Sequence, residues 1–336
     1  MFHLLLLLAP VAVLGVPTKP LEPVIGVLSY PASAEARSSC RHDCGPARAA
    51  KDDSYIGSAY ARWLEQAGAR VVPILYDATT AELTAQFAKL NGVLFTGGPA
   101  KPTAAPKPYF TTATTLYNLV SMAHAAGETV PLWGTCLGIQ TISCIASGGV
   151  DVLGDFPLES YAYPLHFTAA APRSRLFGGM GAQVKAAFAQ NVTTNWHSYG
   201  VAPATLAAKA PSLVALSTNV ALNGKQFVSS LEGRNGLPVY AVQFHPESVQ
   251  WNAGKLRNGQ IVPARSVEAV RSVQYLANFF LQQARNNSHA YPTQLELSKA
   301  LVSQSASSLE MDKVVHVADI YPEGDYLFAK AAADES

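Results

Sequence analysis

Apolar runs rich in β-branched residues alternate with helical patterns through the first half of this chain. The runs are Val24–Leu28, Arg70–Ile74, Gly92–Thr96 and Val130–Trp133, and the helical patterns are Tyr55–Ala67, Thr80–Leu90, Phe110–Ala126 and Leu137–Ala146. A strand that returns parallel to its predecessor needs a long crossover, and a helix is the usual one. The alternation therefore predicts an α/β chain, a three-layer sandwich with a mostly parallel central sheet covered by helices. Gly148–Gly149 reads as the C-terminal cap of the fourth helix. Later runs at Leu213–Thr218, Phe227–Leu231 and Pro238–Phe244 read as further strands. Asn223–Gly224 and Asn235–Gly236 read as turns between them. Val267–Arg285 reads as an amphipathic helix. From Ser298 the chain turns polar, then regains apolar character between Val314 and Phe328, which predicts that the tail docks back. No repeat and no linker composition divides the sequence, so residues 16–336 read as one domain.

The fourth run leads into Gly134-Thr-Cys136-Leu-Gly138. A strand entering a sharp turn and then a helix holds one side chain exposed at the top of a sheet. Small flanking residues are needed, because Cβ atoms would clash in the turn. A cysteine so placed faces the positive end of the following helix, which favours its thiolate. A lone cysteine before a helix is also compatible with a small buried hydrophobe. A second motif decides between the two readings. Val239-Tyr-Ala-Val-Gln-Phe-His245-Pro-Glu247 is an apolar strand ending in histidine, with a carboxylate two residues on. A histidine acting as base needs a partner that fixes its tautomer, and Glu247 can reach its far ring nitrogen. Cys136, His245 and Glu247 thus read as nucleophile, base and orienting acid.

The remaining composition narrows the class. Of 336 residues, 49% are hydrophobic and 14% charged, which suits a large core and not a disordered chain. The net charge is +1 with no basic stripe, so no nucleic-acid partner is expected. No apolar run reaches the roughly 18 residues that span a bilayer as a helix. Leu4–Leu14 has the length of a signal-peptide core, with small residues before Val16, so residues 1–15 are expected to be removed. Asn191-Val-Thr and Asn286-Asn-Ser are glycosylation sequons that fit a secretory route to a lysosome, a vacuole or the outside. Cys136 and Cys144, eight residues apart on one helix, would stand about 12 Å apart, too far for a disulfide. Cys40 and Cys44 could bridge locally or stay free. With His42 between them they suggest a metal, but no second ligand pair accompanies them, so no metal and no cofactor is expected.

Leu132-Trp-Gly-Thr-Cys-Leu-Gly138 and His245-Pro-Glu247 resemble the class I glutamine amidotransferases. Several stretches most resemble the gamma-glutamyl hydrolase family within them. These are Pro23–Leu28, Tyr55–Ile56 with Ser58–Pro73, Asn91–Gly98, and Asn195-Trp-His197, which synthase-linked amidotransferases lack. The likeness spans about residues 22–330. Residues 31–53 and 99–108 depart from it, which leaves substrate detail open. The resemblance implies a class I glutamine amidotransferase-like fold and a cysteine hydrolase of folylpoly-γ-glutamates acting through a thioester, as a homodimer. It implies backbone oxyanion donors at Leu137 and at the glycine turn Gly97–Gly98, with Gly98 the donor residue. His197 and Tyr55, the latter opening a helix beside the site, are candidate substrate contacts. A polyanionic substrate also calls for cations, for which Arg62 and Arg175 are candidates. Two other readings compete. A glutaminase subunit feeding a synthase is opposed by the leader, and a non-catalytic binding protein is opposed by the intact triad.

Overall fold

A computed structural model describes residues 19–31, 54–98, 102–103, 107–252, 254–257, 259–303 and 326–328. Its main sheet has eight strands, numbered here in chain order: β1 Val24–Leu28, β2 Arg70–Ile74, β3 Gly92–Phe95, β4 Leu132–Thr135, β5 His166–Phe167, β6 Leu213–Val220, β7 Gln226–Gly233 and β8 Val239–Val242. Their spatial order is β2-β1-β3-β4-β8-β7-β6-β5. The five strands from β2 to β8 in that order run parallel. The last three join antiparallel. The turns Asn223–Gly224 and Asn235–Gly236 connect this antiparallel part. Gly224, Asn235 and Gly236 all adopt positive φ (76°, 52° and 82°), as tight turns demand.

Side-chain alternation along the strands builds two core layers. On one face Leu28, Val72, Val93, Leu132 and Ala241 pack with helices α3 (Lys107–Ala125) and α4 (Leu137–Ala146), through Leu116, Val120, Ile139 and Ile142. On the other, Ile25, Val27, Val71, Leu94, Trp133 and Tyr240 pack with α1 (Ser58–Glu65) and α5 (Val267–Ala284). There Trp63, Trp133 and Phe280 form an aromatic chain with ring centroids 5.5 and 5.8 Å apart. The Trp63 indole N–H is satisfied by the Val273 carbonyl at 3.1 Å. Full burial of each such large side chain is worth about 1.5–3 kcal/mol, so these layers carry most of the fold's stability. Between β2 and β3, α2 (Thr80–Phe87) starts with a capping box formed by Thr79 and Glu82.

Three features differ from the sequence reading. Tyr55 does not open α1. It lies in a short strand, Ser54–Ile56, that pairs with Tyr30–Pro31 and with Tyr326–Phe328, so this much of the tail docks back. Gly57 then serves as the α1 N-cap. The fourth β strand begins two residues later than expected, at Leu132. An antiparallel ribbon of Gly154–Tyr163 with Thr193–Gly200 stands outside the main sheet, where no strand was predicted. Residues 1–18, including the leader, and Cys40, His42 and Cys44 lie outside the described residues. Among the described residues no helix is long and apolar enough to cross a membrane.

Candidate active site

The site forms beyond the C-terminal ends of β4 and β8, which lie side by side with Val242 opposite Thr135. That register puts the residues after Thr135 and after Val242 at the same end of the sheet. Cys136 takes φ 52° and ψ −103° between β4 and α4, a conformation that L-residues rarely adopt. Such strain costs on the order of 1–3 kcal/mol and persists only where the surroundings impose it. Here they do. The Cys136 N–H donates to the Val242 carbonyl at 2.9 Å. The flanking glycines are required by space: a Cβ on Gly134 would lie 2.7 Å from Ile142 Cδ1, and one on Gly138 only 2.5 Å from the Phe95 carbonyl oxygen.

His245 is fixed from three sides. Its N–H donates to the Thr194 carbonyl at 2.8 Å, its own carbonyl accepts the Ser248 hydroxyl at 2.8 Å, and its Nδ1 meets Glu247 Oε1 at 2.7 Å. Both side chains are nearly buried, at 12% and 5% exposure, so this contact is shielded from solvent screening. Burial alone would lower the His245 pKa. The charges of Glu247 and Cys136 outweigh it and hold the imidazole well above its ordinary value. Nε2, without a hydrogen-bond partner among the described residues, is left for the thiol. The Trp196 ring tilts over the imidazole with centroids 5.4 Å apart. The Trp196 carbonyl is 3.9 Å from Cys136 Sγ.

The glycine turn after β3 closes the third side. A Cβ on Gly97 would fall 2.9 Å from His245 Cε1 and 3.4 Å from Cys136 Cβ, so the bare backbone sits against both. A Cβ on Gly98 would be 2.6 Å from Leu137 Cδ2, which places the two proposed oxyanion residues in contact. Leu137 opens α4, where backbone N–H groups have no acceptor within the helix. Cys136, His245, Glu247, Gly97, Gly98 and Trp196 line a cleft of about 320 Å³ together with Tyr55, Ser58, Tyr60, Thr96 and Asn252; Leu137 is not among its lining residues.

The other expected contacts are placed differently. His197 is on the same ribbon strand as Trp196 but on its opposite side, packed on Phe227 at 4.9 Å and only 3% exposed. It is not among the residues lining the cleft. Burial, and then the charge of His245, push its pKa down to about 3, so it is neutral. Arg175 corrects the expectation of a substrate cation. Its guanidinium donates to the carbonyls of Gly233 and Leu237 at 2.8 and 2.6 Å and lies over the Tyr240 ring at 5.0 Å. Those carbonyls precede β8, at the end of the sheet opposite Cys136. Arg62 stacks on Trp251 at 5.6 Å and does not line the cleft either. Tyr60, Trp196 and Asn252 are cleft residues that the sequence reading missed. Trp196 had a signal, since it sits inside the Asn195-Trp-His197 motif. No metal-binding group of three or more His, Cys, Asp or Glu occurs among the described residues.

Residues 52–257 match the family model for "Glutamine amidotransferase class-I". Gamma-glutamyl hydrolase B of Dictyostelium discoideum is 31% identical over 307 residues, covering 89% of this chain and 82% of that protein. Gamma-glutamyl hydrolase of Homo sapiens is 35% identical over 255 residues, covering 74% and 77%. A solved glutamine amidotransferase from Methylobacillus flagellatus aligns over 82% of this chain and 100% of its own at 14% identity, with TM-score 0.45. By family model and by relatives along most of its length, the chain belongs to the class I glutamine amidotransferases and, among them, to the gamma-glutamyl hydrolases.

Proposed function

We propose that the chain hydrolyses γ-glutamyl bonds of folylpoly-γ-glutamates, with Cys136 as nucleophile. The hydrolase activity follows from the family. The observation that supports these roles best is the meeting of a strained elbow cysteine with the buried His245–Glu247 pair at one sheet end. His245 takes the proton of the Cys136 thiol as the sulfur attacks. The thiolate adds to the γ-carbonyl carbon and the carbonyl oxygen becomes an oxyanion. The N–H groups of Leu137 and Gly98 are suited to receive it. Collapse breaks the C–N bond, and His245 gives its proton to the departing amine. A thioester remains on Sγ. Water then attacks it with His245 as base, releasing the γ-carboxylate and restoring the thiol and imidazole. Glu247 keeps Nε2 directed at the sulfur throughout.

Among the described residues the cleft lining holds no Lys or Arg, and its neutral polar side chains are those of Ser58, Thr96, Asn252 and the tyrosines. The decisive experiment is mass analysis of products from pteroylpentaglutamate. Release of glutamate or short γ-glutamyl peptides, abolished in Cys136→Ala, supports the reading. An inert wild-type enzyme, or a fully active Cys136→Ala, overturns it.

A further inference from the structure

We propose that Tyr60 is a positioning residue that fixes the Gly97–Gly98 turn against the Cys136–His245 pair and so holds the Gly98 donor on the oxyanion. The inference rests on the reading of Cys136 as nucleophile. Tyr60 lies in the first turn of α1, 8% exposed, and lines the cleft. Its phenol oxygen accepts the Gly97 N–H at 2.8 Å. Two consequences follow. The Gly97 N–H is already taken and is not free for an oxyanion, so of the turn's two amides only that of Gly98 remains. The phenol also fixes the turn where it has no freedom to move: a Cβ on Gly97 would meet the Tyr60 oxygen at 2.6 Å and His245 Cε1 at 2.9 Å. A phenylalanine here would fill the same space and leave a partly buried N–H without its acceptor. Burial, then the negative charges of Glu247 and Cys136, hold the hydroxyl protonated, with its pKa well above the ordinary tyrosine value. Tyr60 therefore stays protonated while the triad changes charge through the cycle, its hydroxyl also hydrogen-bonded to the Glu247 side chain. The turn it holds is a fixed wall against which the imidazole and the thiol are placed.

The test compares Tyr60→Phe with wild type in the full chain. On a γ-linked pteroylpolyglutamate, kcat is expected to fall ten- to a hundredfold with KM changed less than threefold, a smaller loss than deleting an oxyanion donor outright. A γ-glutamyl aldehyde, whose adduct with Cys136 carries an oxyanion-like oxygen, is expected to bind weaker by about the same factor as kcat falls. Iodoacetamide, which needs no oxyanion donor, is expected to alkylate Cys136 within twofold of the wild-type rate. A merely structural tyrosine would lower the melting temperature without separating the aldehyde from iodoacetamide. If Tyr60→Phe does not fold, Tyr60→Leu, which also lacks the acceptor, takes its place in the same comparison. A kcat within twofold of wild type, or alkylation that falls in step with kcat, overturns the positioning role. Neither result touches the hydrolase reading, which fails only if the wild-type enzyme is inert or Cys136→Ala is active.

Discussion

In the proposed mechanism Cys136 and His245 carry different shares of the chemistry, and their substitutions should differ accordingly. Cys136→Ala removes the atom that bonds to substrate, so turnover is expected to drop to background in a protein that still folds. His245→Ala is expected to be nearly as damaging, by several orders of magnitude in kcat. Glu247→Ala leaves the imidazole in place but unaligned and should cost about 10–1,000-fold; a loss larger than that of His245→Ala would refute this division. Steady-state kinetics on a γ-linked substrate decide it. His197 makes a separate prediction about pH. Its folded pKa is about 3, against an ordinary 6.5, so the unfolded chain binds the extra proton first as pH falls. Its contribution is fully present above pH 6.5 and is lost below it at about 1.4 kcal/mol per pH unit, or about 2 kcal/mol by pH 5. His197→Phe, which keeps an aromatic ring against Phe227, should flatten that acid slope in urea titrations between pH 7 and pH 5. An unchanged slope would show that His197 is not the titrating group. The sequence pointed to Cys136, His245 and Glu247 because each sits in a short local motif. It could not show Tyr60, whose position on a helix facing the core is occupied by tyrosines in countless structural roles. It misplaced Arg175, because charge complementarity says what a site needs and not which end of a strand a residue is near.

The two elements that shape the site, the elbow and the glycine turn, depend on backbone approach. Gly138→Ala would push a Cβ to 2.5 Å from the Phe95 carbonyl, backbone against backbone, with no side chain to give way. A loss of more than 2 kcal/mol in stability is expected, together with most activity, because α4 must shift away from β3. Gly179→Ala is the control: its φ is −91° and nothing lies within 4 Å of the added Cβ, so stability should stay within about 0.5 kcal/mol. Thermal melts of both variants test this. The same scale explains what was legible of the fold. The parallel strands and their helices have clean periods, and they appear within a few residues of where the sequence placed them. The ribbon does not. Register shifts between Asp155 and Leu158 and between Glu159 and Tyr161, with Ser160 at φ 62°, break its period of two, so no alternation announces it. The α1 boundary was misjudged because Tyr55 and Ile56 suit either a strand or a helix, and only tertiary pairing with Tyr30–Pro31 settles the choice.

For the molecule as a whole, the secretory reading has a surface consequence. Asn191 and Asn286 are both exposed, so both sequons are open to glycan attachment. Protein from eukaryotic cells is expected to start near Val16 and to lose mass on glycosidase treatment. A retained Met1 and an unchanged mass would remove the secretory assignment. The order of the main sheet carries a further meaning for synthesis. β8 is the last of its eight strands in the chain, yet it sits at the centre, between β4 and β7. Until residue 242 has emerged from the ribosome, β4 has no neighbour on that side and the two sheet halves cannot join. The Val242 carbonyl that secures the elbow, and the histidine that serves the thiol, arrive with that same insertion. A nascent or truncated chain therefore lacks the meeting of Cys136 with His245, which forms only at the step that completes the sheet.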